Sequence, residues 1–285
     1  MNTFFRLLGH LPLVVLHWLG AGVGLLVWAV SGRYRRTLAA NLGQALGRPP
    51  HLGERLASAI EAGKGAFETA WVWIRPQTTL ARAVRTTARW QAVLDAQAAS
   101  RGIVFVTPHL GCFEISAQYF AAVAAPITVL FRRPRKAMLA PLMDAGRNRG
   151  RMRAVPADAA GVRQLIKSLR AGEAIGILPD QVPREGEGIW VPFFGRPAYT
   201  MTLAARLIGS NGAPAFLAFA RRLPWGRGFE LDCAPIELPE GPTEVRVAAL
   251  NAALERTILT CPAQYLWGYN RYKCPPGVTP PASQT

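Results

Sequence analysis

Metal-ligand spacing is missing from this sequence. Its four cysteines, Cys112, Cys233, Cys261 and Cys274, form no C-x-x-C pair, and none of the four histidines (His10, His17, His51, His109) stands at ligand spacing to them. That argues against a zinc site, and four thiols in 285 residues are too few for a disulfide framework, so reduced thiols facing the cytoplasm are expected. Acid is scarce as well: 17 Asp and Glu stand against 33 Lys and Arg, a formal net charge of +16. A surplus of this size favours anionic partners, whether nucleic acid, lipid headgroups or an acidic carrier protein. The basic residues are dispersed, and no helix-turn-helix, zinc-finger or RNA-binding signature accompanies them, so a nucleic-acid partner is not expected.

Charge of either sign is absent from Leu7 to Val30, a run of 24 residues. As a helix this run would reach about 36 Å, against a hydrocarbon core of about 30 Å. It contains Pro12, His10, His17 and four glycines, so a kinked or half-inserted helix fits the same stretch. Only Arg6 precedes it, whereas Arg33, Arg35 and Arg36 follow. That asymmetry reads as an uncleaved membrane anchor over residues 1–32, with everything beyond it in the cytoplasm.

Residues 34–75 carry apolar side chains at helical spacing, interrupted at Pro49-Pro50. From residue 103 the texture changes. Ile103–Thr107, Ile127–Phe131, Ala174–Leu178 and Ala215–Ala220 read as buried strands, alternating with helical stretches near 112–124, 158–171 and 200–210. This alternation predicts an α/β domain over 33–274 with a mostly parallel central sheet flanked by helices. Phe229–Asp232 is expected as an edge strand and Thr243–Leu259 as a closing helix, and the proline-rich, uncharged stretch 275–285 is expected to be a disordered tail.

The segment Thr107-Pro108-His109-Leu110-Gly111-Cys112-Phe113-Glu114 carries the chemistry. A strand stopped by Pro108 leaves His109 at the C-terminal end of the sheet, where open α/β folds form their ligand crevice. Glu114 falls in the first turn of the next helix, within reach of turning back toward the imidazole, where a carboxylate can fix the tautomer of a general base. Cys112, at the helix start, is an alternative nucleophile. An oxyanion formed beside His109 would need donors, which Arg132 or the backbone N–H groups of Gly111–Phe113 can supply. Between Phe131 and Arg153 lie eight basic residues, Arg132, Arg133, Arg147 and Arg149 among them, and one acid, Asp144. Such a patch suits phosphate. Asp180 and Gln181 end another predicted strand and should face the same crevice.

His109 and Glu114 match the H-x4-D/E motif of the glycerolipid acyltransferase superfamily. More closely, the chain resembles the late (lauroyl/myristoyl-type) acyltransferases of lipid A biosynthesis over nearly its whole length. The resemblance rests on the apolar N-terminus, Arg36 with Asn41-Leu42, His109–Glu114 and Phe131-Arg132-Arg133-Pro134. It continues through Leu178-Pro179-Asp180-Gln181, Val191–Ala198 and Asn270-Arg271-Tyr272-Lys273. It implies a cofactor-free and metal-free enzyme on the cytoplasmic face of a Gram-negative inner membrane. Such an enzyme takes an acyl chain from acyl carrier protein and places it on a hydroxyl of a lipid A precursor. His109 would be the base and Glu114 its partner, with Arg132, Arg133, Arg147, Arg149, Asp180 and Gln181 binding substrate. Two other readings fit less of the sequence: an acyltransferase for an ornithine lipid or glycerophospholipid, and a membrane-tethered polyanion-binding protein without activity.

Overall fold

Polar caps and prolines divide the N-terminal third into helices. A computed structural model describes residues 3–99, 101–132 and 140–281. Two apolar helices, α1 (Thr3–His10) and α2 (Leu13–Val30), are separated at Pro12. Ser31 then caps α3 (Gly32–Leu46), its hydroxyl accepting from Tyr34 N at 3.2 Å. After Pro49-Pro50 comes α4 (Leu52–Ile74), where Glu54 accepts from the His51 backbone N–H at 2.7 Å in a capping box. Both helices lie on the stretch whose spacing predicts them, except that α3 starts two residues earlier.

The α/β part of the chain is built on strands β1 (Val84–Thr86), β2 (Ile103–Val106), β3 (Ile127–Phe131), β4 (Met152–Pro156), β5 (Ala174–Ile177), β8 (Ala215–Arg222) and β9 (Phe229–Pro235). They form one sheet in the order β1-β9-β8-β2-β5-β3-β4, parallel throughout except for the β8–β9 pair. Every residue of β2 and β5 is buried, which is why Ile-Val-Phe-Val and Ala-Ile-Gly-Ile read as unbroken apolar runs rather than as alternation. On one face Val104, Val106 and Ile175 pack with α9 (Ala159–Arg170) and α11 (Thr243–Leu259). On the other, Ile103, Phe105 and Ile127 pack with α4 and α7 (Phe113–Val123).

Phe229–Asp232 does belong to a strand, but β1 lies outside it, so β9 is interior and not the edge. The three-residue β1 offers too short a run to announce itself in sequence. Phe193-Phe194-Gly195 forms the turn between β6 (Gly188–Phe193) and β7 (Arg196–Met201), with φ of 49° at Phe194 and 73° at Gly195. Two successive left-handed residues make the tight reversal that suits a hairpin. Residues 275–281 lie beside this hairpin, with Trp190 Nε1 donating to Thr279 O at 2.9 Å, while 282–285 lie outside the described residues.

α2 is long and apolar enough to cross a membrane, yet one side of it is committed to α4. A Cβ on Gly24 would sit 2.1 Å from Ala59 O, and one on Gly63 of α4 would sit 2.0 Å from Gly20 O, so only glycine permits this approach. Beside these contacts His17 Nε2 lies 3.1 Å from Glu68 Oε2. The buried Glu68 carboxylate also takes Nε and Nη2 of Arg222, whose Nη1 reaches Glu61 at 2.5 Å.

Candidate active site

β2 and β5 run parallel and adjacent, with Val106 opposite Ile177, so the segments leaving their C-terminal ends emerge together. Thr107 N extends the ladder to Ile177 O at 3.0 Å before Pro108 ends it. His109 and Asp180 then meet. One Asp180 oxygen accepts from the His109 backbone N–H at 2.8 Å, and the other lies 2.7 Å from ring Nδ1. Burial alone would raise the Asp180 carboxyl. The His109 side chain and backbone, with a hydrogen bond from the Tyr265 hydroxyl, more than offset this and hold it below its ordinary value. An ionised Asp180 keeps the ring proton on Nδ1 and leaves the Nε2 lone pair outward. There it meets the side-chain amide of Gln181 at 3.1 Å.

Glu114 does not orient the imidazole. Among the described residues its hydrogen bonds run elsewhere: Trp73 Nε1 donates to Oε2 at 3.0 Å, and Arg147 reaches both carboxylate oxygens through Nε and Nη2. The Phe113 ring, one residue earlier in α7, is the neighbour that packs on His109, at 4.8 Å between centroids. The expected pairing fails because Asp180 arrives from the adjacent strand and occupies Nδ1 first. Glu114 remains in the site, since it and His109 line one cavity with Arg132, Arg147 and Gln181.

The other expected residues separate by position. Arg132 follows β3 and donates to Val182 O at 3.1 Å on the cavity wall. Arg147, on α8 (Ala140–Arg147), stacks its guanidinium over Trp73 and Phe131 at 5.4 and 5.7 Å. Arg149 is spent on structure: it donates to the carbonyls of Val72, Trp73 and Arg75 and so closes the C-terminus of α4. Arg133, with part of the basic run, lies outside the described residues. The backbone N–H groups of Gly111 and Cys112 are also committed, to Gln264 O at 3.1 Å and Ala220 O at 2.8 Å. Gly111 has φ of 60°, and a Cβ there would strike Ala220 O at 2.1 Å, so the histidine loop is pressed against β8.

Two contributors escaped the sequence reading. Tyr265 reaches Asp180 from 85 residues downstream with no local motif to mark it. Trp73 reads as a packing ring at helical spacing, and only the fold reveals its bond to Glu114. Cys112 is buried, and burial with the nearby Glu68 charge pushes its thiol well above the ordinary range. That removes the thiolate an acyl-enzyme needs. Cys112→Ala is therefore expected to retain near-normal turnover in a steady-state acyl-transfer assay; loss of turnover with an intact fold would restore the covalent route.

The first cavity opens into a second, apolar one. Phe113, Ala117, Val129 and Leu178 line both, and Trp90 and Phe120 belong to the inner one alone. The cavity that holds His109 and its polar neighbours thus adjoins an apolar recess. In sequence, the family model described as bacterial lipid A biosynthesis acyltransferase matches residues 1–274. The chain belongs to that family. It is 29% identical over 288 residues to the lipid A biosynthesis lauroyltransferase of Escherichia coli K12, covering 95% of this chain and 89% of that one. Identity to the lipid A biosynthesis palmitoleoyltransferase of the same organism is 27% over 284 residues, covering 94% and 88%. A lipid A biosynthesis acyltransferase of Haemophilus influenzae is 29% identical over 187 residues, covering 64% and 58%. As a lipid A biosynthesis acyltransferase, the chain carries within the matched span both the N-terminal apolar helices and every side chain of the cavity described above.

Proposed function

We propose that this protein transfers a fatty acyl chain from acyl carrier protein to a hydroxyl group of a lipid A precursor, at the inner membrane with the catalytic domain on the cytoplasmic face. The observation that carries the chemistry is His109 held between Asp180 and Gln181 in a cavity that adjoins an apolar recess. A secondary hydroxyl is a poor nucleophile, and Nε2, with its lone pair fixed outward, takes its proton as the oxygen attacks the thioester carbonyl. The tetrahedral intermediate collapses by breaking the carbon–sulfur bond, and the imidazolium returns the proton to the leaving thiolate. Asp180 stays ionised and stabilises the imidazolium between these events. With the Gly111 and Cys112 amides committed, the Gln181 amide, 3.1 Å from Nε2, is a donor beside the reacting atoms, and it serves the oxyanion by turning from Nε2. Arg132 and the Arg147–Glu114 pair form the polar wall against which the acceptor's phosphates lie.

The acyl chain enters the inner recess, which measures only about 30 Å³ and has to widen to take it. Ala117 stands where the two cavities join, so Ala117→Phe narrows the passage. It is expected to shift donor preference toward shorter chains, read as the ratio of kcat/KM values across a series of acyl donors. An unchanged ratio would place the chain elsewhere.

The test of the whole reading is acyl transfer by purified protein in detergent. Radiolabelled lipid A precursor would be incubated with carrier protein charged with a series of chain lengths, and in parallel with the matching coenzyme A thioesters. Labelled product bearing one more acyl chain is expected. No product with either donor class, from folded protein, would refute the acceptor; product with coenzyme A thioesters alone would refute the carrier protein.

A further inference from the structure

The N-terminal apolar helix is laid along the catalytic domain for its whole length. Gly9 of α1 meets Ile74 and Ala70, His17 meets Glu68, Gly20 meets Gly63, and Gly24 meets Ala59, so α2 and α4 run antiparallel in contact. Carrying α2 across a bilayer would carry this face of α4 with it, including the Lys64–Glu61 pair, Glu68 and the Arg222 that pairs with both carboxylates. Charges at that depth are costly, and β8, which bears Arg222, cannot leave its sheet without exposing strand edges to hydrocarbon.

The other side of α2 is apolar and bare. Val15, Trp18, Leu19, Val23, Leu26, Val27 and Val30 are exposed, at the three-and-four spacing of a single stripe. The stripe continues onto a separate element. At the β8–β9 connection Trp225 is 72% exposed, its ring centroid 6.1 Å from that of Trp18. The next residue, Gly226, is seated so closely on α2 that a Cβ would lie 2.5 Å from Val14 N. Trp225 itself has φ of 61°, a conformation costly for a bulky side chain. Such a tip, strained and docked while its indole points to solvent, is built to present that ring. Exposed basic residues flank the stripe along the chain: Arg6 on α1, Arg33 and Arg36 on α3 just after α2, and Arg227 next to the tip.

We propose that α1, α2 and the Pro224–Trp225–Gly226 tip form one contact face that enters a single leaflet of an anionic phospholipid membrane, with α2 in the membrane plane and not across it. This rests on the reading that the protein works at a membrane. Aliphatic side chains enter the acyl region, the paired indoles sit at headgroup depth, and the arginines meet lipid phosphate. The face also adjoins the active site. Phe5 of α1 packs on Trp73 at 5.8 Å, and Trp73 donates to Glu114 on the cavity wall. A lipid acceptor therefore has its entrance beside the leaflet.

Sidedness and depth test the proposal on the full chain with Cys261 and Cys274 changed to serine. One variant carries a cysteine in a short polar tag before Met1, another carries Arg163→Cys on α9, and both are labelled with a membrane-impermeant maleimide in spheroplasts and in inverted vesicles. Labelling of both from the same side is expected; labelling from opposite sides means that α2 spans, and overturns the in-plane arrangement while leaving membrane attachment intact. A Trp225→Cys variant bearing an environment-sensitive fluorophore should show blue-shifted emission, quenched by spin-labelled lipid, on phosphatidylethanolamine–phosphatidylglycerol vesicles. Aqueous emission there would remove the tip from the face. Trp225→Asp should weaken partitioning onto those vesicles by roughly tenfold. Disulfide cross-linking of Val27→Cys between copies, undiminished by vesicles, would assign the stripe to a second copy. Failure to bind any vesicle would sink the membrane reading itself.

Discussion

Changing His109 to alanine is expected to lower acyl transfer by about 10²–10⁴-fold, the usual contribution of a positioned general base. The fold should survive, because the histidine backbone contacts to Asp180 and Leu266 remain available. The informative companion is Asp180→Asn. An amide keeps the shape but no longer offers carboxylate oxygens to both Nδ1–H and the His109 backbone N–H, and it supplies no charge to stabilise the imidazolium. A comparable loss of kcat is expected. Nitrogen-15 spectra of the His109 ring supply a readout that a merely structural role would not move. In the parent protein they should place the proton on Nδ1, and in Asp180→Asn that preference should weaken. Glu114→Gln should leave the tautomer untouched, since Glu114 is bound to Arg147 and Trp73. A tautomer that responds to Glu114 and ignores Asp180 would reverse the assignment.

Arg222→Met is expected to be the most damaging substitution for stability. Arg222 is 4% exposed and pairs with Glu68, itself 1% exposed, and with Glu61. Removing it strands a buried carboxylate, which costs about 3–5 kcal/mol in comparable cases. Chemical denaturation in detergent reads this directly, and Arg222→Met combined with Glu68→Gln should recover part of the loss. The acid limit follows from the same cluster. Burial by itself would raise the Glu68 carboxyl, but Arg222 and His17 outweigh it and hold the value at about 2, below the ordinary 4.5. A carboxyl depressed on folding contributes stability above its unfolded value, and that contribution drains away as pH falls toward the folded one. Stability should therefore decline between about pH 4.5 and 2, and less so in Glu68→Gln.

The sheet was legible because β2, β3, β5 and β8 are buried on both faces and leave continuous apolar runs. The helices α3, α4, α9 and α11 were legible from spacing, caps and the Pro49-Pro50 break. What escaped has a common cause. Strands β1 and β4 are short or only partly buried, so neither an unbroken run nor strict alternation marks them. His109 could be picked out because a proline-stopped strand places it at the sheet's C-terminal edge. Its partner could not, since adjacency of β2 and β5 is a property of topology, and spacing along the chain favoured the nearer Glu114. Arg149 illustrates the converse: a basic residue in a basic run looks like an anion ligand until the carbonyls at the end of α4 are found waiting for it.

The glycine-paved contact between α2 and α4 bears on anyone who would make this protein soluble. Deleting the first thirty residues, the obvious cut, would uncover Gly63, Ala59 and the Glu68–Arg222 pair along the back of α4 and leave a sticky scar in place of a membrane surface. Repainting is the sounder route. Polar side chains at Val15, Leu19, Val23, Leu26 and Val30, with Trp225 made small, would turn the outer stripe toward water and keep the inner seam zipped.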